Sequence, residues 1–136
     1  MNVVLPHAIL LNDWCKLFNV PNPVPSTLLH TSIISSLDDA PYVLSNETIT
    51  LDPKTYALRR WINERNQKNI LVMLVDSEDL HKRHQYALSC GATHIYGRFV
   101  PHITLSYDVG DFDPTHLQTP FFSMKLVEER MCRYMP

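Results

Sequence analysis

The stretch "RFVPHITLSYD", residues 98 to 108, decides how the chain is read. From Val100 onward its apolar, β-branched and aromatic residues read as a buried strand, yet the run opens on an imidazole at His102 and carries a hydroxyl at Thr104. Residues 28 to 36, "LLHTSIISS", repeat the phrase with His30, a hydroxyl at Ser32 and an apolar residue after it. Side chains at i and i+2 of a strand share a face, so each copy presents one imidazole and one hydroxyl about 7 Å apart along the strand. Thr31, Ile33, Ile103 and Leu105 then take the other face or resume the core.

Working outward, residues 3 to 10, "VVLPHAIL", read as a first strand that Pro6 demotes to an edge or a bulge. Asn12 or Asp13 can cap a short helix on which Trp14, Leu17 and Phe18 share a face. Pro21, Pro23 and Pro25 exclude helix and ladder alike and deliver an extended chain into the first histidine phrase. Asp52-Pro53 could open a helix, but Glu47 to Leu51 is strand-like, Tyr56, Leu58 and Arg60 alternate, and "ILVMLV" at 70 to 75 reads as a buried strand. This pattern favours a hairpin closed by the polar loop "NERNQKN". The clearest helix is 77 to 91, capped by Ser77, with Glu78 and Asp79 at its positive end, Gly91 as a left-handed stop, and Leu80, His84, Ala87 and Leu88 as its inward stripe. A strand-like "ATHIY" precedes the second phrase, and a solvated turn, "DVGDFDPT", leads to a last strand and an irregular tail in "FFSMKLVEERMCRY". The element order describes two similar α+β halves within one domain, residues 1 to 136.

Composition narrows the function classes. A 136-residue chain with 45% hydrophobic and 19% charged residues is long enough for one sizeable core and is not of disordered composition. The start, "MNVVLPHAILLNDWCKLF", lacks the basic segment of a targeting signal, and no stretch approaches the roughly 18 apolar residues of a membrane span. Cys15, Cys90 and Cys132, scattered in a chain of this kind, read as reduced and packed, which points to the cytoplasm. A net charge of −2, with only Arg59-Arg60 and Lys82-Arg83 as basic patches, argues against a long nucleic acid and leaves room for a small phosphate ligand.

If the two halves are related by a pseudo-two-fold, the histidine phrases meet across a central cleft. Two imidazoles and two hydroxyls suit phosphodiester cleavage: a neutral histidine accepts a proton from the attacking oxygen, a protonated one donates to the leaving oxygen, and the hydroxyls bond the non-bridging oxygens. Imidazole titrates near roughly 6.5, so base and acid coexist close to neutral pH and no metal or other cofactor is required. A lone His-x-Ser/Thr in a strand is usually a half-buried structural histidine; the duplication is what raises the functional reading.

The phrases HTSI and HITL resemble the paired His-x-Thr/Ser-hydrophobic motifs of the 2H phosphoesterase superfamily, which includes the RNA-ligase-like cyclic phosphodiesterases. Within it the chain more closely resembles the phage anti-CBASS nucleases, which destroy cyclic oligonucleotide messengers of a bacterial defence system. "NVPNPVPSTLLHTSIISS" and "LVDSEDLHKRHQYALSCGATHIYGRFVPHITLSYD" carry that resemblance. It implies a bilobal α+β fold of two pseudo-symmetric lobes around a central cleft. It implies metal-independent hydrolysis of a 3′,5′ linkage in a cyclic di- or trinucleotide, begun by in-line attack of the substrate's own 2′-hydroxyl, in the cytoplasm of the host. His30 and His102 match the family's acid/base pair, and Ser32 and Thr104 its phosphate-binding hydroxyls, with Ser32 standing where threonine is more usual. For the family's base-holding aromatic and glutamate, Trp61 and Glu129 correspond by position, with Glu128 adjoining in register. The alternatives are an enzyme acting on RNA ends that bear a 2′,3′-cyclic phosphate, and a protein that sequesters cyclic nucleotides without cutting them.

Other residues invite blander readings. His81, His84, Cys90 and His94 match no closed zinc pattern well, and His84 reads as a core histidine. Asp108, Asp111 and Asp113 lack the twelve-residue loop and terminal glutamate of a calcium site.

Overall fold

Tyr56, Leu58 and Arg60 alternate along one segment and the apolar run of Ile70 to Val75 fills the next, and the two form the longest ladder in the molecule. In the computed structural model, which describes residues 1–36, 41–95 and 97–131, β-strands run over Asn2–Val3 (β1), Ile49–Leu51 (β2), Tyr56–Asn63 (β3), Lys68–Val75 (β4), His102–Ser106 (β5) and Met124–Val127 (β6), with helices at Leu5–Leu17 (α1) and Glu78–Ser89 (α2). β3 and β4 pair antiparallel from Tyr56–Val75 to Asn63–Lys68. Side-chain amides close the hairpin: Asn63 Oδ1 accepts from the Arg65 N–H and Asn66 Oδ1 from the Lys68 N–H. The Asp52-Pro53 start signal yields one 3-10 turn, Pro53–Thr55, with Asp52 accepting from the Lys54 N–H. Beyond it, burial of Tyr56 against the core and pairing with β4 override the local helix signal.

β5 pairs with the other edge of β4, placing Val72 opposite Thr104, Met73 opposite Ile103 and Leu74 opposite His102. One sheet is thus ordered β3-β4-β5 and the other β1-β6-β2, both antiparallel. A single cluster of buried residues takes Leu51, Met124 and Leu126 from one sheet, Leu71, Met73 and Ile103 from the other, and Leu11 and Trp14 from α1. Among the described residues no helix is long and apolar enough to cross a membrane.

The strand expected over residues 3 to 10 is corrected: it ends at Val3 and α1 takes over. Pro6 lies in the first turn of that helix, where its missing N–H has no intrahelical partner to lose. Asn12 is not a cap but donates from mid-helix to the Val24 carbonyl at 2.9 Å. Ala8, Leu11, Trp14 and Cys15 form the inward face, and Leu17, expected beside Trp14, is 74% exposed. Burial pushes the Cys15 thiol up to about 12. α2 forms as read, with Ser77 Oγ accepting from the Leu80 N–H and Gly91 at φ 101°, although Leu88 falls off the buried stripe formed by Leu80, His84 and Ala87.

The first histidine phrase is also not the strong strand its composition suggests. Ser26–Leu28 is a 3-10 turn, and only the next residues pair: the Val3 N–H donates to the Leu29 carbonyl, the Thr31 N–H to the Met1 carbonyl, and isolated bridges form at Asn2–His30 and Thr31–Ile103. Pro21, Pro23 and Pro25 remove three donors just upstream. Pro23 bridges to Ser106 and the Val24 N–H donates to the Leu105 carbonyl, in a register different from that at Thr31. Of "ATHIY", a bridge between Ser36 and His94 is present; Tyr96, Cys132 and the rest of the tail lie outside the described residues.

Met73 sits at the centre of the middle strand with no exposed area. Met73→Ala is expected to cost about 2–5 kcal/mol in urea unfolding, and Leu88→Ala to stay within about 0.5 kcal/mol of the parent.

Candidate functional site

The alternation of β5 buries Ile103 and Leu105 completely and turns His102 and Thr104 to the opposite face. In the first phrase Leu29 and Thr31 are buried, and His30 and Ser32 are exposed. The antiparallel bridge at Thr31–Ile103 sets the two phrases side by side. Carried one residue either way, that register sets His30 toward Thr104 and Ser32 toward His102. Thr31 Oγ1 donates to the His102 carbonyl at 2.7 Å, a side-chain bond inside the seam.

Both rings are held in one way. Nδ1 of His30 is 2.8 Å from the Leu28 carbonyl, and Nδ1 of His102 is 2.8 Å from the Val100 carbonyl. A carbonyl only accepts, so Nδ1 carries a proton in each ring, and Nε2 is the nitrogen left for proton exchange. Burial holds His102 below the ordinary imidazole range, and the nearby charge of His30 pushes the same way against the bond to Val100. His102 therefore favours the neutral form.

Trp61, on β3, packs edge-on against His102 with ring centroids 4.8 Å apart. Tyr56 is buried in the core and Leu58 packs against it, so Ala57, Arg59 and Trp61 take the face shared by His102 and Thr104. The structure thus gathers His30, Ser32, His102, Thr104 and Trp61 around one surface.

Glu129 has a different setting. Its side chain is only 3% exposed and pairs with Arg83 on α2, Nε to Oε2 at 2.8 Å and Nη2 to Oε1 at 3.0 Å. Oε1 also accepts from the Tyr42 hydroxyl and the Ser45 N–H. Burial would raise this carboxyl, but the bonds from Arg83, Tyr42 and Ser45 outweigh it and hold the group below the ordinary glutamate range. Arg83 additionally lies over the Tyr42 and Tyr86 rings and donates to the Val43 carbonyl. The carboxylate is committed to a network that ties residues 42 to 45 to α2. Glu128 is exposed with left-handed backbone (φ 59°) and lines a cavity of about 350 Å³ with Asn2, Val4, Ser26 and Thr27 beside the first phrase.

Two contributors escaped the sequence reading. Thr31 takes the buried face, as the alternation predicts, and its hydroxyl at a buried position is the signal that it has a polar partner. Arg83 stands in the basic patch Lys82-Arg83, and nothing local marks it as the partner of a glutamate 46 residues away. His84, read as a core histidine, is bonded through Nδ1 to the Ile33 carbonyl and stacks on Phe99 at 4.0 Å. Among the described residues no three of His, Cys, Asp and Glu are grouped to hold a metal ion. In the "DVGDFDPT" turn, Asp108 pairs with Lys68 at 3.4 Å and Asp113 accepts from the Thr115 N–H.

Comparison with known proteins identifies the family. The family described as Anti-CBASS protein Acb1 matches residues 6–132, a span that contains both histidine phrases. The chain is 39% identical over 100 residues to the Anti-CBASS protein Acb1 of Enterobacteria phage T4, covering 74% of this chain and 64% of that protein. It is 41% identical over 91 residues to that of Salmonella phage S16, covering 67% and 58%, and 40% identical over 96 residues to that of Acinetobacter phage Ac42, covering 70% and 62%. The matched regions span about three fifths of these relatives' own length. With nearly the whole sequence matched and both phrases inside the match, the chain belongs to the Anti-CBASS protein Acb1 family.

Proposed function

We propose that the protein is a metal-independent phosphodiesterase of the 2H phosphoesterase type that cleaves 3′,5′ linkages of cyclic di- or trinucleotide messengers in the cytoplasm of an infected cell. The two three-stranded sheets would be its two lobes, with the seam between the phrases as the floor of the cleft. The observation that carries this reading is the pair of histidines, each anchored through Nδ1 and brought side by side by the bridge at Thr31–Ile103. The anti-CBASS name of the relatives supports a cyclic oligonucleotide as the target.

Chemistry follows from the asymmetry between the rings. His102, held neutral by burial, has a free lone pair on Nε2 and takes the proton of the substrate's 2′-hydroxyl. The 2′-oxygen attacks phosphorus in line as the bond to the 5′-oxygen breaks. His30, the exposed partner, donates its Nε2 proton to that leaving oxygen, giving a linear product with a 2′,3′-cyclic phosphate. Water can open the cyclic phosphate with the roles reversed. Ser32 and Thr104 donate to the non-bridging oxygens, where negative charge builds. Trp61 offers a ring face for a base while its edge braces His102.

The deciding assay mixes purified protein, in EDTA, with cyclic di- and trinucleotides and with an RNA ending in a 2′,3′-cyclic phosphate, and identifies products by mass spectrometry. Linearised cyclic nucleotide is the expected product; opening of the RNA end alone would reassign the substrate, and tight binding without product would make the protein a sponge. His30→Ala and His102→Ala should each abolish single-turnover cleavage while the thermal transition stays in place; wild-type rates in either would sink the mechanism. Ser32→Ala and Thr104→Ala should each lose about 2 to 4 kcal/mol of transition-state stabilisation, read from kcat/KM. Lowering the pH protonates the base, so kcat/KM should fall on the acid side with an apparent midpoint below the roughly 6.5 of free imidazole. An acid limb above that value would remove His102 from the role of base.

A further inference from the structure

We infer that Arg59 is a specificity residue that holds a second phosphate of the cyclic nucleotide while the first is at the histidine pair; this rests on the function proposed above. The register fixes its place. Arg59 pairs with Val72 and Val72 with Thr104, so the three form one row across β3, β4 and β5. Two strand spacings separate the Cα atoms of Arg59 and Thr104, about 10 Å. Val72, between them, is fully buried although it lies outside the main core cluster, as expected for the floor of a second, covered face. Trp61 is the next residue on that face and touches His102.

The state of the guanidinium matters as much as its position. Arg59 is exposed, and one N–H, on Nη1, donates to its own Leu58 carbonyl at 2.8 Å. The ion pairs found among the described residues, Lys68–Asp108, His81–Asp76, Lys82–Glu78 and Arg83–Glu129, leave Arg59 without a carboxylate. Its neighbour Arg60 points to the other face, where Nη1 donates to the Phe112 carbonyl at 3.2 Å. Arg83 is already spent on Glu129. Arg59 is therefore a guanidinium with most of its five donors open, two strands from the reacting phosphate and beside an aromatic ring. Every nucleotide of a cyclic ring carries its own phosphate, and only one can occupy the histidine pair at a time. A remaining phosphate is an anion within an arginine's reach, and a planar fork of donors meets its oxygens in bidentate fashion. Trp61 and Arg59 together fit the base and phosphate of the nucleotide that is not being cut.

The test compares the whole protein with Arg59→Ala and Arg59→Lys on two substrates: a cyclic dinucleotide, which has two phosphates, and a linear dinucleoside monophosphate, which has one. On the cyclic substrate Arg59→Ala should lower kcat/KM about 10- to 100-fold, mainly through KM, with Arg59→Lys recovering part of the loss. On the single-phosphate substrate the loss should be at least ten times smaller, and the thermal transition should not move. Equal losses on both substrates, or wild-type kinetics in Arg59→Ala while the parent cleaves normally, would overturn the assignment and leave the phosphodiesterase reading intact. A parent that neither binds nor cleaves any cyclic nucleotide would overturn both.

Discussion

The contact on which the site depends is the seam at Thr31 and Ile103. His30 and His102 belong to segments far apart in sequence, and the bonds of Pro23 and Val24 upstream join those segments in a different register. The bridge supplies a register, and the Thr31 hydroxyl on the His102 carbonyl adds a bond that ties the first phrase to β5. Because side chains alternate, the same register that buries Thr31 and Ile103 turns four polar side chains to the other face. A slip of one residue would bury imidazoles and expose the core, so the hydrophobic packing beneath the site also enforces its geometry.

The ring anchors add a second constraint. Each histidine donates from Nδ1 to the carbonyl two residues before it, a local bond that limits the ring's rotation and chooses its tautomer. Equivalent anchors place the rings in unequal surroundings, one exposed and one partly buried against Trp61. That inequality is what the proposed mechanism uses to give chemically identical groups opposite roles in proton transfer.

Around this centre the charged residues divide by how fully they are occupied. Arg83 and Glu129 satisfy one another inside a network with Tyr42 and Ser45, where removing one partner would strand a buried charge. Arg59 stands on the face of His102 and Thr104 with no carboxylate partner among the described residues. Two arginines in a chain of net charge −2 thus sit in different surroundings, and only their partners tell them apart.

Local chemistry made much of this legible. The alternation of Tyr56, Leu58 and Arg60, the polar loop after it and the apolar run of 70 to 75 announced the hairpin, Ser77 and Gly91 bracketed α2, and the repeated His-x-hydroxyl phrase marked two segments that the structure sets side by side. Local signals misled where a residue had two uses: Pro6 fits an edge strand and a helix start equally well, and Asp52-Pro53 fits a helix start and a single turn. Nothing in the sequence could show that Thr31 clamps β5, that Glu129 is held by Arg83, or that Arg59 shares a row with Thr104. Alternation within a segment follows from short-range sterics and side-chain polarity, which any stretch carries with it. Pairing between segments depends on which partners survive when the chain closes around a common core, and that is a property of the whole fold.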